Sequence, residues 1–152
     1  MYVGIRKADR ELDHDDIVKI ALMDKNISSF SSMMFSNEDA YKKGWITIAI
    51  DKGGTIVGFT CVRHKVRSPE TMLYFLMTHP DYRGLGVGDK LMQEMEQNSP
   101  HNTIALKVMK DNRNAISFYG KRGYLITSDS EYGGKGFKME KKLREGTKDN
   151  ND

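Results

Sequence analysis

Gly84, Gly86 and Gly88 follow Arg83 within five residues, and that spacing suits the capture of an anion. Just ahead runs Met72-Leu73-Tyr74-Phe75-Leu76-Met77, an apolar stretch that reads as a buried strand. Val87, Leu91, Met92 and Met95 follow with the spacing of one helix face. The glycines therefore stand at a strand-to-helix turn. Glycine lets backbone N–H groups approach a ligand with no Cβ in the way, and a helix N-terminus adds partial positive charge. The combination suits phosphate. Two common phosphate sites do not fit. A P-loop ends in Gly-Lys-Ser/Thr, whereas Gly88 is followed by Asp89. A dinucleotide fingerprint is G-x-G-x-x-G, whereas here the third glycine comes one residue early.

A second stretch able to do chemistry is Asn112-Arg113-Asn114-Ala115-Ile116-Ser117-Phe118-Tyr119-Gly120-Lys121-Arg122-Gly123-Tyr124. Ala115, Ile116 and Tyr119 share a helix face, Asp111 or Asn112 caps its start, and Gly123 suits its stop. Tyr119 carries a phenol that stays protonated at neutral pH and can donate a proton. His79, before Pro80, is a conceivable base, though a residue there suits a structural role.

Arg83-x-x-Gly86-x-Gly88 after a strand and His79-Pro80 resembles the acetyl-CoA loop of the GNAT acyltransferase superfamily. Asn112, Ala115, Tyr119, Gly123 and Tyr124 match its pattern N-x-x-A-x-x-x-Y-x-x-x-G-[FY], and Ile56-Val57-Gly58-Phe59 looks like its third strand. The resemblance implies an α+β fold: a mostly antiparallel sheet of about six to seven strands flanked by about four helices. It implies that the fourth and fifth strands splay and that acyl-CoA enters the wedge. Carried onto this chain, Arg83, Gly84, Leu85, Gly86, Val87 and Gly88 hold the pyrophosphate. Backbone groups at Leu76, Met77 and Thr78 pair with the pantetheine arm. Asn112 contacts the cofactor and Tyr119 sits by its sulfur. The activity implied is acetyl transfer from acetyl-CoA to a primary amine by direct attack in a ternary complex. A backbone N–H near Thr78 steadies the oxyanion and Tyr119 protonates the departing thiolate.

Two departures bear on the mechanism. The fourth strand has no glutamate between Thr71 and Thr78, and on the fifth Lys107 stands where some protein N-terminal acetyltransferases have one. Proton removal through water, or attack by an amine already partly neutral, follows from that gap. Asp89 beside the glycine loop should point to solvent. A non-catalytic acyl-CoA-binding or regulatory module on the same fold is the alternative reading.

The elements that must position these residues can be taken in order. Tyr2, Val3 and Ile5 suggest a first strand. Asp13 looks like an N-cap, with Asp15 and Asp16 in the first turn and Ile17, Ile20 and Ala21 on the buried face. Residues 25–36, with Ile27, Phe30, Met33, Met34 and Phe35, read as a short packing helix or a loop that touches the acceptor. Ser36-Asn37-Glu38-Asp39 opens another helix, ended by Gly44. Residues 45–50 and 55–62 form a hairpin about Asp51-Lys52-Gly53-Gly54. Arg63, His64, Lys65 and Arg67 read as a solvated loop before Pro69. Ser99-Pro100-His101-Asn102 is a break. Ile104, Leu106 and Val108 alternate as a half-buried strand. Residues 124–127 and 137–139 give two final strands around Gly133-Gly134. By resemblance, Asp129 and Glu131 between them, with Phe30 and Met34, lie at the acceptor end.

Composition sets the frame. The 152 residues suit a single domain over 1–142, with a polar, disordered tail over 143–152. Twenty-four basic and 21 acidic residues give a net charge of +3, too balanced to point to nucleic acid. Cys61 is the only cysteine, so the chain forms no internal disulfide, and neither a cysteine-rich metal site nor any other metal is expected. A reducing, cytoplasmic setting follows, with no signal peptide and no membrane partner. The expected partners are acetyl-CoA and an unidentified amine, on a monomer or homodimer.

Overall fold

The computed structural model describes residues 3–24 and 37–143. Tyr2, the stretch with Phe30 and Met34, and the expected tail beyond Leu143 lie outside them. Thirteen elements follow in order: β1 (Gly4–Lys7), α1 (Arg10–Leu22), α2 (Glu38–Lys42), β2 (Ile46–Ile50), β3 (Ile56–His64), β4 (Glu70–Thr78), a 3₁₀ turn (Pro80–Tyr82), α3 (Val87–Asn98), β5 (Thr103–Met109), α4 (Arg113–Gly120), β6 (Leu125–Ser130), α5 (Glu131–Gly134) and β7 (Gly136–Lys142). The strands form a seven-stranded sheet in the order β1-β2-β3-β4-β5-β7-β6. β4 and β5 run parallel over four residue pairs, from Glu70↔Thr103 to Leu73↔Leu106. The mixed, mostly antiparallel sheet expected from the sequence is the one observed. By packing, the chain divides into two compact units, residues 1–62 with 75–98, and residues 63–74 with 99–152.

In the first unit, α1 and α2 place Ile17, Ile20, Ala21 and Ala40 against Ile46, Ile48, Phe59, Cys61 and Met77. Val87 and Leu91 of α3 pack with Ala49 and Val57. The β2–β3 hairpin does not alternate cleanly. Its register steps from Ala49↔Gly58 to Ile50↔Ile56, so Val57 is an extra residue, a β-bulge. The bulge lets Val57 and Gly58 both face α3. Its carbonyl accepts the His79 amide at 2.8 Å, which ties the start of the glycine turn to the hairpin. A Cβ on Gly58 would lie 2.8 Å from the Met77 carbonyl oxygen and 3.0 Å from Val87 Cγ1. Glycine is what lets three elements meet there.

Helix α1 differs from its sequence reading. Its N-cap is Asp9, whose side chain accepts the Leu12 amide at 3.0 Å. Asp13, expected as the cap, is a buried residue one turn inside. It takes two hydrogen bonds from Arg6, at 2.7 and 2.9 Å, and one from the Asp9 amide at 2.7 Å. Burial pushes its carboxyl up, but the Arg6 hydrogen bonds, the Asp9 amide and the Arg6 charge outweigh that and hold it below its ordinary range. The pair clamps β1 to α1.

In the second unit, Ile104, Leu106 and Val108 are buried, as their alternation predicts, beside Tyr124 and Met139. The basic stretch read as a loop begins as strand, because β3 extends through Arg63 and His64. Thr71 and Ser99 are buried and joined at 2.8 Å, and the Ser99 hydroxyl donates to the His101 carbonyl. Ser99 has spent its proton there, so Thr71 donates to Ser99 and His64 Nδ1 donates to Thr71. This directed chain fastens the break before β5 to the start of β4.

Candidate active site

The glycine turn lies wholly in the first unit. The His79 Nδ1 accepts the Asp81 amide at 3.1 Å and so caps the 3₁₀ turn. With Nδ1 accepting, the ring proton sits on Nε2 and the Nδ1 lone pair faces the backbone of its own turn. The Arg83 amide donates back to the Pro80 carbonyl at 3.4 Å. Gly84 and Gly86 then adopt φ of +76° and +86°, the left-handed region that side chains avoid. A Cβ on either would meet nothing within 4 Å, so backbone conformation demands these glycines and the space above them is open. Gly88 differs: it lies in the first turn of α3, outside the left-handed region.

The Gly86 carbonyl accepts the Lys90 amide at 3.0 Å and so starts the α3 ladder. Among the described residues, the amides of Gly84, Leu85, Gly86, Val87 and Gly88 find no backbone acceptor. The last two are the unpaired donors that any helix start leaves. Five consecutive donors at the positive end of a helix dipole form a cradle for a negative group. Arg83, Leu85 and Asp89 are exposed around it, and the exposure of Asp89 agrees with its expected orientation to solvent. Of the β4 residues ahead of the turn, Met77 is buried, while Leu76 and Thr78 are half-buried.

The second unit holds Asn112 and Tyr119. Asn112 caps α4, its Oδ1 accepting the Ala115 amide at 3.3 Å. Just past the end of α4, Gly123 has φ +94°, and the Tyr124 amide reaches back to the Tyr119 carbonyl at 3.2 Å. The Tyr119 ring stands edge-on to Phe118 at 5.3 Å and to Tyr124 at 5.9 Å. Desolvation pushes its phenol well above the ordinary tyrosine value, although the nearby Arg122 charge pulls the other way. Among the described residues the Tyr119 hydroxyl has no hydrogen-bond partner. Tyr119 is half-buried on α4, which leaves its hydroxyl open to a partner from outside the helix.

Lys107 on β5 is exposed. Its Nζ lies 3.1 Å from Glu131 Oε1. Glu131, in the turn after β6, thus brings a carboxylate beside this position of β5. That turn is strained: Tyr132 has φ 53°, and Gly133 and Gly134 follow at 66° and 91°. Sequence spacing names Glu131 but not its partner, because the pairing depends on the three left-handed residues that fold the turn back over β5. No group of three or more histidine, cysteine or carboxylate side chains suited to a metal occurs among the described residues. No described helix is long and apolar enough to cross a membrane.

Comparison with known proteins agrees with this arrangement. Residues 14–124 match the model of the acetyltransferase (GNAT) family. A relative named 5-NmdU N-acetyltransferase, from Pseudomonas phage PaMx11, is 40% identical over 138 residues, covering 90% of this chain and 96% of the relative. The crystal structure of Ard1 from Thermoplasma volcanium superposes with a TM-score of 0.78 at 21% identity, over 94% of this chain and 99% of that one. The PaiA N-acetyltransferase of Thermoplasma acidophilum, in complex with coenzyme A, gives a TM-score of 0.76 at 23% identity, over 93% and 99%. The two solved structures speak for the fold, and the family match and the phage relative speak for the lineage: the chain belongs to the acetyltransferase (GNAT) family of acyl-CoA-dependent enzymes.

Proposed function

We propose that this enzyme moves an acetyl group from acetyl-CoA to a primary amine by direct attack in a ternary complex. The observation that carries the reading is the half-buried Tyr119 on α4, whose hydroxyl has no hydrogen-bond partner among the described residues. A departing thiolate would give that hydroxyl its missing acceptor. With its pKa raised, Tyr119 starts fully protonated and works chiefly as a donor to developing negative charge on sulfur. The open amides of Gly84, Leu85, Gly86, Val87 and Gly88, with Arg83, would take the pyrophosphate. The backbone of Leu76, Met77 and Thr78 lies on β4 beyond the four-pair ladder with β5. It would pair with the pantetheine arm and offer an oxyanion donor near Thr78. Asn112 would contact the cofactor beside its capping role.

The amine must lose a proton. His79 Nδ1 is engaged by the Asp81 amide and β4 has no glutamate between Thr71 and Thr78, so proton removal passes through water or begins from neutral amine. Glu131, beside Lys107, would help to orient the acceptor. The acceptor named for the phage relative, 5-NmdU, heads the candidates. On this reading residues 1–142 act as one acyl-CoA-binding domain, and the lone buried Cys61 suits a cytoplasmic setting.

The test is release of CoA from acetyl-CoA across an amine panel that includes 5-NmdU. Turnover with at least one amine is expected. Tyr119→Phe keeps the ring and removes the proton, so kcat should fall about tenfold or more while the acetyl-CoA KM stays within about threefold. An unchanged kcat, where chemistry is shown to limit the rate, would falsify the donor role.

A further inference from the structure

Between the end of β4 and the start of α3 the chain keeps its side chains mostly in solvent. Residues 80, 81 and 83–86 are all exposed, and Tyr82 alone among them is half-buried. The Tyr82 amide donates to the His79 carbonyl at 2.9 Å and the Arg83 amide to the Pro80 carbonyl at 3.4 Å. Both are bonds of the turn with itself. Tyr82 is the side chain that ties this stretch to the rest of the first unit. Its ring packs with Ala49, Val57, Val87 and Leu91 and stands edge-on to His79 at 5.5 Å. Its hydroxyl donates to Asp51 Oδ2 at 3.4 Å.

Asp51 is itself fixed. Its other oxygen, Oδ1, accepts the Gly53 amide at 3.0 Å and the Thr55 amide at 2.9 Å. Its own amide donates to the Thr55 carbonyl at 2.9 Å. The tip of the β2–β3 hairpin is thus a closed turn that presents one carboxylate oxygen to Tyr82. Tyr82 stands immediately before Arg83, and Val87 immediately after Gly86. Both side chains enter the same apolar cluster. The stretch between them includes the two left-handed glycines, Gly84 and Gly86. Glycine loses more conformational freedom on ordering than any other residue. Without an anchor, such a loop would spend binding energy on its own ordering each time an anion entered. Held at both ends, its amides are in place beforehand.

We propose that Tyr82 and Asp51 are positioning residues for the acyl donor: through the Tyr82 ring and hydroxyl, the hairpin tip holds the entry of the glycine cradle and sets its affinity for a diphosphate. This rests on the reading that the cradle takes the pyrophosphate. Neither side chain needs to touch the ligand. The role fixes a sign. Asp51 carries negative charge toward the residue that precedes the cradle, so on charge alone Asp51→Asn should tighten the binding of an anion. As a positioning change it should weaken binding, while the asparagine oxygen still accepts the two turn amides.

The test is calorimetric titration of the full chain with acetyl-CoA, beside a thermal-shift titration with acetyl-pantetheine, which carries the same thioester arm without the pyrophosphate. Tyr82→Phe and Asp51→Asn should each raise the acetyl-CoA dissociation constant about three- to tenfold, the range of one lost hydrogen bond, and Tyr82→Ala should raise it further. The response to acetyl-pantetheine should be the same in parent and variants, and kcat at saturating acetyl-CoA should stay within about twofold. The double variant Tyr82→Phe/Asp51→Asn should bind no worse than either single variant, because both remove one bond. Tyr82→Phe keeps the ring and its packing, so it tests the hydroxyl even where Tyr82→Ala fails to fold. Unchanged affinity in Tyr82→Phe, tighter binding in Asp51→Asn, additive losses in the double variant, or equal losses for both donors would each overturn the proposal. A loss in Tyr82→Phe that Asp51→Asn does not share would make the hydroxyl a direct contact of the ligand and would overturn it as well. If the parent binds acetyl-pantetheine as tightly as acetyl-CoA, the cradle reading fails and takes the proposal with it. If the parent prefers acetyl-CoA and the variants lose nothing, the proposal fails alone.

Discussion

A phenol that desolvation has pushed above its usual range keeps its proton across the working range of pH. Activity that needs Tyr119 protonated is lost only as pH rises through that raised pKa. The pH profile of kcat should therefore show no falling limb from Tyr119 up to about pH 10, the ordinary tyrosine value. An alkaline limb centred near pH 8 to 9 that vanishes in Tyr119→Phe would contradict the environment described here. Asp13 carries the opposite sign. Its carboxyl is held below the ordinary carboxylate value by Arg6 and the Asp9 amide. The stabilisation is present above about pH 4 and is lost as pH falls through the lowered folded value. Asp13→Asn should cost about 3 kcal/mol at neutral pH by denaturant unfolding, the low end for a buried pair, because the Arg6 side chain is 42% exposed. The difference from the parent should narrow in acid.

At the scale of elements, the hairpin bulge and α3 depend on one missing Cβ. Gly58→Ala should destabilise the fold by about 1–3 kcal/mol, through the Met77 carbonyl and the Val87 side chain. Thermal melting of the folded variant checks it, and an unchanged midpoint would show that α3 can shift freely. Much of this scaffold was legible in the sequence. The apolar run before the glycines, the period of α3 and the capped turn of α4 are local signals, readable from residues a few positions apart. The bulge at Val57 was not, because it is a register step between two strands. Nor was the role of Asp13, since an acid near a helix start looks like a cap unless its partner seven residues upstream is seen beside it. In the glycine turn, the matched family pattern singles out Gly86 and Gly88. The backbone places the left-handed demand on Gly84 and Gly86 instead, which spacing alone does not encode.

At the scale of the molecule, a ligand that binds only the folded chain must stabilise it. Acetyl-CoA at a hundred times its dissociation constant should add about 2.7 kcal/mol. For a chain of this size that is a rise in melting temperature of roughly 5–10 °C. Gly86→Glu sets bulk, strain and a negative charge in the amide cradle, and should erase most of that rise. A variant that melts normally and still gains the full shift would move the pyrophosphate elsewhere. Cys61 has a further consequence. It is fully buried against α1 and β2, and a thiol so enclosed is inert while the protein stays folded. A colour-forming disulfide reagent added to working enzyme will thus see the thiol of released CoA with almost no background from the protein. Once substrates are omitted, the same reagent counts only those molecules that have opened, making the chain a clock for its own unfolding.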